Sequence, residues 1–337
     1  MGVRLLSYSK CLVCGILISF SLQVNAQITE GMLFESVRGM TDPSAIAIFQ
    51  DSRDFIWVGT WGGLFRYDGY GFKHYPAIPY DSSSLSGQGV LAIAEDNKAR
   101  LWIACNNGLN CYDRWLDRFY QFRNNPLDTT TIVGNALSCM LIDSKQRLWL
   151  GTYWDGLCYA ELDKIRKIPE QSPKFYRFSK KNDNGSLTDN FVQSIFEDRE
   201  GTIWVVTSDK VLHRWDEKNR IFSHYTFPAE IANKAEFIEL WLEDTITHNF
   251  WFTTRGSGIF SWNKHTQEIK KYSTKSNRHL SFDIVRHIWR DPSGILWVGT
   301  DGGGLALLDE NKGEIVTYNY RSDNPFSISS DAVYRIF

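Results

Sequence analysis

Much of what marks an enzyme or a nucleic-acid binder is missing from this chain. With 37 basic and 39 acidic residues the formal net charge is −2, so there is no basic footprint and no nucleic-acid partner is expected. The 7 histidines show no H-E-x-x-H and no paired ligand spacing, and the 6 cysteines fit no zinc pattern. Asp301-Gly302-Gly303-Gly304 is not a phosphate loop, because no Gly-Lys-Ser/Thr follows it. No metal and no cofactor is therefore expected. A sialidase-type S-x-D-x-G-x-T-W box is also lacking: its Asp stands five before the Trp, and here the spacing is six with no Arg triad or nucleophile pair. Paired carboxylates on converging loops stay open as an alternative, a polysaccharide hydrolase or lyase.

Long hydrophobic runs are absent after residue 22. The one early run, Cys11 to Leu22, follows Arg4 and Lys10 and precedes Val24-Asn25-Ala26, a small-residue cleavage site before Gln27. Residues 1–26 read as a signal peptide that directs the chain to the periplasm, an uncleaved anchor being the alternative. Cys11 and Cys14 would leave with it. Cys105, Cys111, Cys139 and Cys158 read as buried thiols, although Cys105 and Cys111 flank one loop and could pair across a hairpin.

What the chain has instead is a period. Trp57, Trp102, Trp149, Trp204, Trp251 and Trp297 recur at intervals of 45, 47, 55, 47 and 46 residues, by subtraction of their numbers. A fixed period of this size signals stacked supersecondary units. Asp51, Asp96, Asp143, Asp198 and Asp291 each stand six before their Trp, and Asp244 stands seven before Trp251. An apolar run precedes each Asp, a turn opened by Asp follows, and the Trp lies in a second apolar run such as IWVGT or LWLGT. A Gly-containing loop, a third strand ending in Tyr67-Asp68 or Trp215-Asp216, and a fourth closing on Phe72/Tyr75 or Phe222/Tyr225 complete the unit. Four strands per repeat make an all-β fold, a β-propeller of antiparallel blades.

The domain reading is a propeller over 27–337, with blades near 46–75, 90–122, 137–178, 192–225, 237–272 and 285–318. Lys164–Lys174, inserted in the third repeat, reads as a solvated hairpin tip. Between blades run polar linkers such as Tyr80-DSSSLS and Ser322-DNPFSISSD. A partial seventh blade is expected from Val333–Phe337, which aligns with Val192–Phe196, and from residues 32–37, where Phe34–Val37 resembles an outer strand. Two middle strands are then missing, and the gap would expose unpaired edges and the apolar faces of blades one and six, a setting for aggregation. A chain carried through those strands would be more stable.

The D-x-x-G-x-[IL]-W-[VI]-G-T core at Asp291–Thr300, the G-[GL]-L-x-x-[YF]-[DN] at Gly62–Asp68 and the linker at Asn324–Ser329 resemble the two-component regulator propeller repeat. The resemblance covers about residues 30–337, and blade four departs from it where Val206 and Ser208-Asp209-Lys210 replace the Gly-rich turn. It implies the ligand-sensing region of a hybrid two-component histidine kinase system of Bacteroidetes, acting in a phosphorelay. It implies an oligosaccharide ligand, and further propeller and immunoglobulin-like domains, a membrane helix, a kinase, a receiver and a DNA-binding domain in full-length relatives. A homodimer is possible in that setting. The chain, without a kinase of its own, is then a truncated sensor and not an enzyme.

In an up-and-down blade the second-to-third loops share one end with the linkers. Trp61, Tyr153 and Trp154 place flat apolar faces there, and Asn106, Asn107, Asp155, Arg255 and Asp301 place hydrogen-bonding groups. That mixture suits a sugar, whose ring has an apolar face and a hydroxyl rim. The bland alternative is that these residues only cap the blades.

Overall fold

A computed structural model describes residues 32–337, apart from residues 182, 184, 245–246, 277–278 and 311, and before residue 32 only the strands Leu6–Tyr8 and Leu12–Val13. The rest of the leader read in residues 1–26 lies outside the described residues. Every repeat forms a four-stranded antiparallel sheet in simple sequential order, and the fold is a six-bladed β-propeller with almost no helix.

The larger of two compact units spans Ile46–Asn233 with Phe237–Leu240. Its blade one is Ala47–Gln50, Ile56–Thr60, Gly63–Tyr67 and Phe72–Tyr75; blade two is Val90–Glu95, Leu101–Cys105, Gly108–Asp113 and Arg118–Phe122. Blade three is Leu137–Ile142, Arg147–Thr152, Leu157–Glu161 and Phe175–Phe178; blade four is Val192–Glu197, Ile203–Thr207, Val211–Asp216 and Ile221–Thr226. The smaller unit takes Met1–Ala45, Lys234–Glu236 and Trp241–Phe337. It holds most of blade five (Ile238–Glu243, Asn249–Thr254, Ile259–Asn263, Ile269–Tyr272) and all of blade six (Val285–Arg290, Leu296–Thr300, Leu305–Asp309, Glu314–Tyr318).

The second strands are apolar on both faces, and within each unit neighbouring blades pack against them. Trp57 packs with Leu101, Ile103 and Tyr112 of blade two, and Trp149 with Ile203, Val205 and Trp215 of blade four. All six marker tryptophans are at most 4% exposed. Their indole N–H is answered by the turn. Asp51, Asp96, Asp143, Asp198 and Asp291 each accept it through Oδ2 at 2.7–2.9 Å. The other carboxylate oxygen caps the turn, as Asp143 Oδ1 does by accepting the Lys145 and Arg147 N–H at 3.0 and 2.8 Å. The third residue after the Asp is left-handed: Gly201 and Gly294 take it freely, whereas Asp54, Ala99 and Gln146 take it at φ of 65, 56 and 57°.

Blades also approach through missing side chains. A Cβ on Gly59 would stand 2.6 Å from Val90 Cγ1, and one on Gly151 would stand 2.7 Å from Val192 Cγ1. Each valine opens the next inner strand.

Four expectations need correction. Cys105, Cys111 and Cys158 are buried and Cys139 partly so, its thiol enclosed 3.8 Å from the Val192 carbonyl; all four are free thiols, so no disulfide forms. Cys105 pairs with Gly108 and Cys111 with Trp102 in the hairpin register, so the two never face each other. The insert of blade three is not wholly solvated. Leu162 and Ile165 at its root are buried, and Lys98 Nζ and the Arg100 guanidinium donate to the Leu162 and Ile165 carbonyls at 3.0–3.5 Å. Two cations thus cap the end of the 3₁₀ turn Leu162–Lys164.

The remaining two corrections concern the chain ends. Val333–Phe337 forms no strand, since no second strand among the described residues pairs with it. Val333 nonetheless donates to the Thr300 carbonyl at 2.7 Å, and its own carbonyl lies against Gly299 as Val90 lies against Gly59. Nor is the face of blade six open: Trp297, Leu305 and Leu307 are buried in one cluster with Phe34, Ile328, Val333 and Ile336. Phe34 donates to the Phe326 carbonyl at 3.0 Å, matching Phe119 to Ser83, Phe175 to Thr130 and Phe222 to Gly185. The segment before blade one therefore sits on the sixth linker as outer strands sit on theirs. The backbone of Leu6–Tyr8 pairs in parallel with Glu35–Val37.

Candidate functional site

In four of the six blades a threonine closes the second-to-third loop; in blade two Cys105 stands in that place. The hydroxyls of Thr60, Thr152, Thr254 and Thr300 donate to the carbonyls of Gly63, Gly156, Gly258 and Gly304 at 2.7–3.0 Å. They also accept an N–H from inside the loop, such as that of Asp155 at 2.9 Å or Ser257 at 3.0 Å. In blade four the Thr207 hydroxyl turns to Asp209 Oδ1 at 2.6 Å, which accounts for its departure from the Gly-rich pattern. Loops fixed this way hold their first residues where binding groups are useful.

In the larger unit the structure brings Trp61 and Asn106 together around Gly89. A Cβ there would lie 2.8 Å from the Trp61 ring and 3.1 Å from the Asn106 amide carbon, so only glycine fits between them. Asn106 N–H donates to the Gly89 carbonyl at 2.8 Å and Gly89 N–H returns to Asn106 Oδ1 at 3.3 Å. Asn106 is thus partly spent on structure. Trp61 remains 55% exposed.

Blade three supplies the second cluster. Trp154 is 72% exposed and Tyr153 half-buried, their ring centroids 6.3 Å apart. Tyr153 lies 4.9 Å from Phe191, and Phe191 lies 5.9 Å from Phe237. Four rings therefore form one continuous aromatic ledge along the loop and linker end of the larger unit. Phe191 and Phe237, both half-buried, were not singled out from the sequence, where each reads as the apolar residue that opens an inner strand. Asp155 is exposed beside Trp154, its carboxylate against Gly134. Asp189 Oδ1 accepts the Phe191 N–H at 2.8 Å and the Ser208 hydroxyl at 2.9 Å.

Asn107 faces a separate pocket of about 640 Å³, built from linker residues such as Tyr80 and from Gln121 and Arg123 of blade two. In the smaller unit, Arg255 gives its carbonyl to the Glu236 N–H at 2.9 Å, and Asp301 is committed to an ion pair with Arg286. Asp301 Oδ2 is therefore already taken by the Arg286 guanidinium.

The reactive groups are quiet. Burial pushes the thiols of Cys105, Cys111, Cys139 and Cys158 up to about 12, so none is a thiolate at neutral pH. His213 in blade four is buried, which lowers its pKa to about 4. Its Nε2 accepts the Thr188 N–H at 3.1 Å, so the neutral ring is the one that fits. His74 and His224 each place Nε2 on a main-chain carbonyl, of Gly62 and Ser186, at 2.9 and 2.7 Å. Among the described residues no group of three or more His, Cys, Asp or Glu could hold a metal ion, and no helix is long and apolar enough to cross a membrane.

Comparison with known proteins gives the architecture a context. The family model described as two component regulator propeller matches residues 39–62 and 186–209. A histidine kinase P4 of Formosa agariphila is 43% identical over 53 residues, which cover 16% of this chain and 4% of that protein. The extracellular domains of two putative hybrid two component systems from B. thetaiotaomicron superpose with TM-scores of 0.74 and 0.68 at 22% and 21% identity. Each match covers 91% of this chain, but only 39% and 37% of those chains. A virginiamycin B lyase from Staphylococcus aureus shares the fold more distantly, with a TM-score of 0.57 at 12% identity over 82% of this chain and 85% of that one. The chain thus spans well under half the length of the sensor-like proteins it matches, and at these identities the solved structures speak to fold alone.

Proposed function

We propose, from the premise that the chain carries two-component regulator propeller repeats, that it is the exported ligand-sensing propeller of a hybrid two-component system and answers to an oligosaccharide. The observation that carries the ligand class is the ledge of Trp154, Tyr153, Phe191 and Phe237. Its rings touch in series, and Asp155 and Asp189 lie at its edge. Stacked sugar rings bury apolar faces on such a ledge while carboxylates and loop amides take their hydroxyls. The loops are already locked by their threonines, so binding there orders little and its cost in side-chain entropy is small. Sensing then consists of the ligand favouring one arrangement of whatever the propeller is joined to.

Calorimetry of the purified chain against a panel of neutral oligosaccharides tests this reading. Binding should appear for at least one linear oligosaccharide and fall at least tenfold in Trp154→Ala with Tyr153→Ala, while the circular dichroism spectrum stays unchanged. Equal binding by the double variant would move the site off the ledge. The fold shared with a lyase supports a second reading, a polysaccharide-cleaving enzyme. New reducing ends or unsaturated products during incubation with the same panel would replace the sensor reading with that one.

A further inference from the structure

The pocket beside Asn107 has a chemistry of its own. Residues 77–86, the linker from blade one to blade two, cross above the outer strand of blade two. Gln121 Nε2 donates to the Asp81 and Ser84 carbonyls at 3.2 and 2.9 Å, and Arg123 Nη2 donates to the Ser86 carbonyl at 2.9 Å. These bonds fix the linker without filling the space enclosed, about 640 Å³.

Arg123 spends Nε and Nη2 on Gln121 Oε1 at 3.4 and 3.3 Å, so the donors around that space free to turn to a ligand are two side-chain amides and Arg123 Nη1. Among the described residues the side-chain amides of Gln88 and Asn107 make no hydrogen bond, and Arg123 takes part in no ion pair. The nearby carboxylate of Asp81 is turned into its own loop, where Oδ1 accepts the Ser83 N–H at 2.8 Å and the Ser83 hydroxyl at 2.6 Å. Arg123 is thus the uncompensated charge of the pocket. One wall is apolar and ends in Tyr80, whose side chain is fully exposed while its backbone sits at φ 66°. A non-glycine residue is strained in that region, and strain of this kind gathers where a side chain must be presented to a ligand.

We propose that this pocket is a second binding site, separate from the aromatic ledge, for a uronate: a sugar ring carrying a carboxylate. The carboxylate pairs with the Arg123 charge and accepts from its Nη1. Ring hydroxyls accept from Gln88 and Asn107, and the apolar ring face lies on Tyr80. The proposal stands apart from the ledge reading, since either site can bind without the other.

The experiment titrates the full chain with glucuronate and galacturonate, their methyl esters, and glucose and galactose, read by calorimetry and by the shift in melting temperature. A free uronate should bind at least tenfold more tightly than its methyl ester or its neutral parent. Arg123→Gln should remove that advantage, and Tyr80→Ala, which alters a side chain with no packing to lose, should weaken uronate binding severalfold. The ledge variant Trp154→Ala should leave it unchanged. Indifference to esterification, or full binding by Arg123→Gln and Tyr80→Ala, overturns the proposal. Loss of uronate binding in Trp154→Ala also overturns it, because the uronate would then sit on the ledge.

Discussion

Blades three and five solve the same turn in two ways. In blade three, Asp143 stands six before Trp149 and takes the indole N–H at 2.7 Å, two backbone N–H groups, and the Arg147 guanidinium at 2.6 Å. In blade five the turn is one residue longer. Asp244 meets the Thr247 N–H at 3.2 Å and pairs with Arg290 at 2.9 Å, and Trp251 Nε1 has no hydrogen-bond partner among the described residues. Yet both tryptophans are 0% exposed. Burial between blades therefore holds the marker in place, and the aspartate decides only how well its N–H is satisfied. Arg290 reaches Asp244, Glu310 and the face of Trp251, so the longer turn trades an indole bond for a tie from blade six.

The comparison is most easily broken at the tryptophans themselves. Trp149→Ala and Trp251→Ala should each cost about 3–5 kcal/mol in urea unfolding, since a cavity opens in both cases. A near-neutral Trp251→Ala would mean that the hydrogen bond, and not burial, does the holding. The aspartates should then differ. Asp143→Ala strands a buried indole, two amides and an arginine and should cost about 3 kcal/mol. Asp244→Ala strands no indole and should cost about half as much; equal losses would erase the distinction.

Acid extends the test to a buried group that must stay neutral. His213 has a folded pKa lowered to about 4 by burial, against an ordinary value of 6.5. The unfolded chain binds the proton first, so stability from this group is intact above pH 6.5, falls as pH drops from 6.5 to 4, and levels off below. The loss should reach roughly 1–3 kcal/mol across that window, and His213→Gln should flatten it. The smallest effect lies in the turn backbone. Ala99 occupies at φ 56° the place that Gly294 occupies at 92°, so Ala99→Gly should stabilise the chain by about 1 kcal/mol. Thermal melts decide it, and a destabilised Ala99→Gly would show that the turn is set by its aspartate alone.

These turns also show why the fold was legible and the candidate site only in part: Tyr153, Trp154 and Asn107 could be named from their loops, but not the groups beside them. Asp and Trp act on neighbours within about ten residues and recur in six copies, and the Gly-Thr pair recurs in three, so the rule is exposed. The ledge joins Tyr153, Phe191 and Phe237, each of which obeys its own local pattern, so nothing in any one repeat marks the alignment. The pocket joins a linker to a strand some forty residues later, where Arg123 reads as an ordinary surface cation. The root of the blade-three insert escaped for the same reason. Lys98 and Arg100, which cap it, belong to the previous repeat. Periodicity shows what repeats share; binding depends on what they do not share.

The glycines that admit a valine have a bearing on descent. Gly59, Gly151 and Gly299 each face the valine that opens the following segment, whereas Ala104, Val206 and Thr253 hold that place before Leu137, Ile238 and Val285. A crossover in a linker would part such a glycine from its valine and set the valine against the Cβ of Ala, Val or Thr, which at Gly59 and Gly151 would stand only 2.6–2.7 Å from it. A crossover between the tryptophan and the glycine carries the pair together. Gene duplication that lengthens or shuffles this array is thus expected to break inside second strands, so that the inherited module is out of phase with the blade it builds.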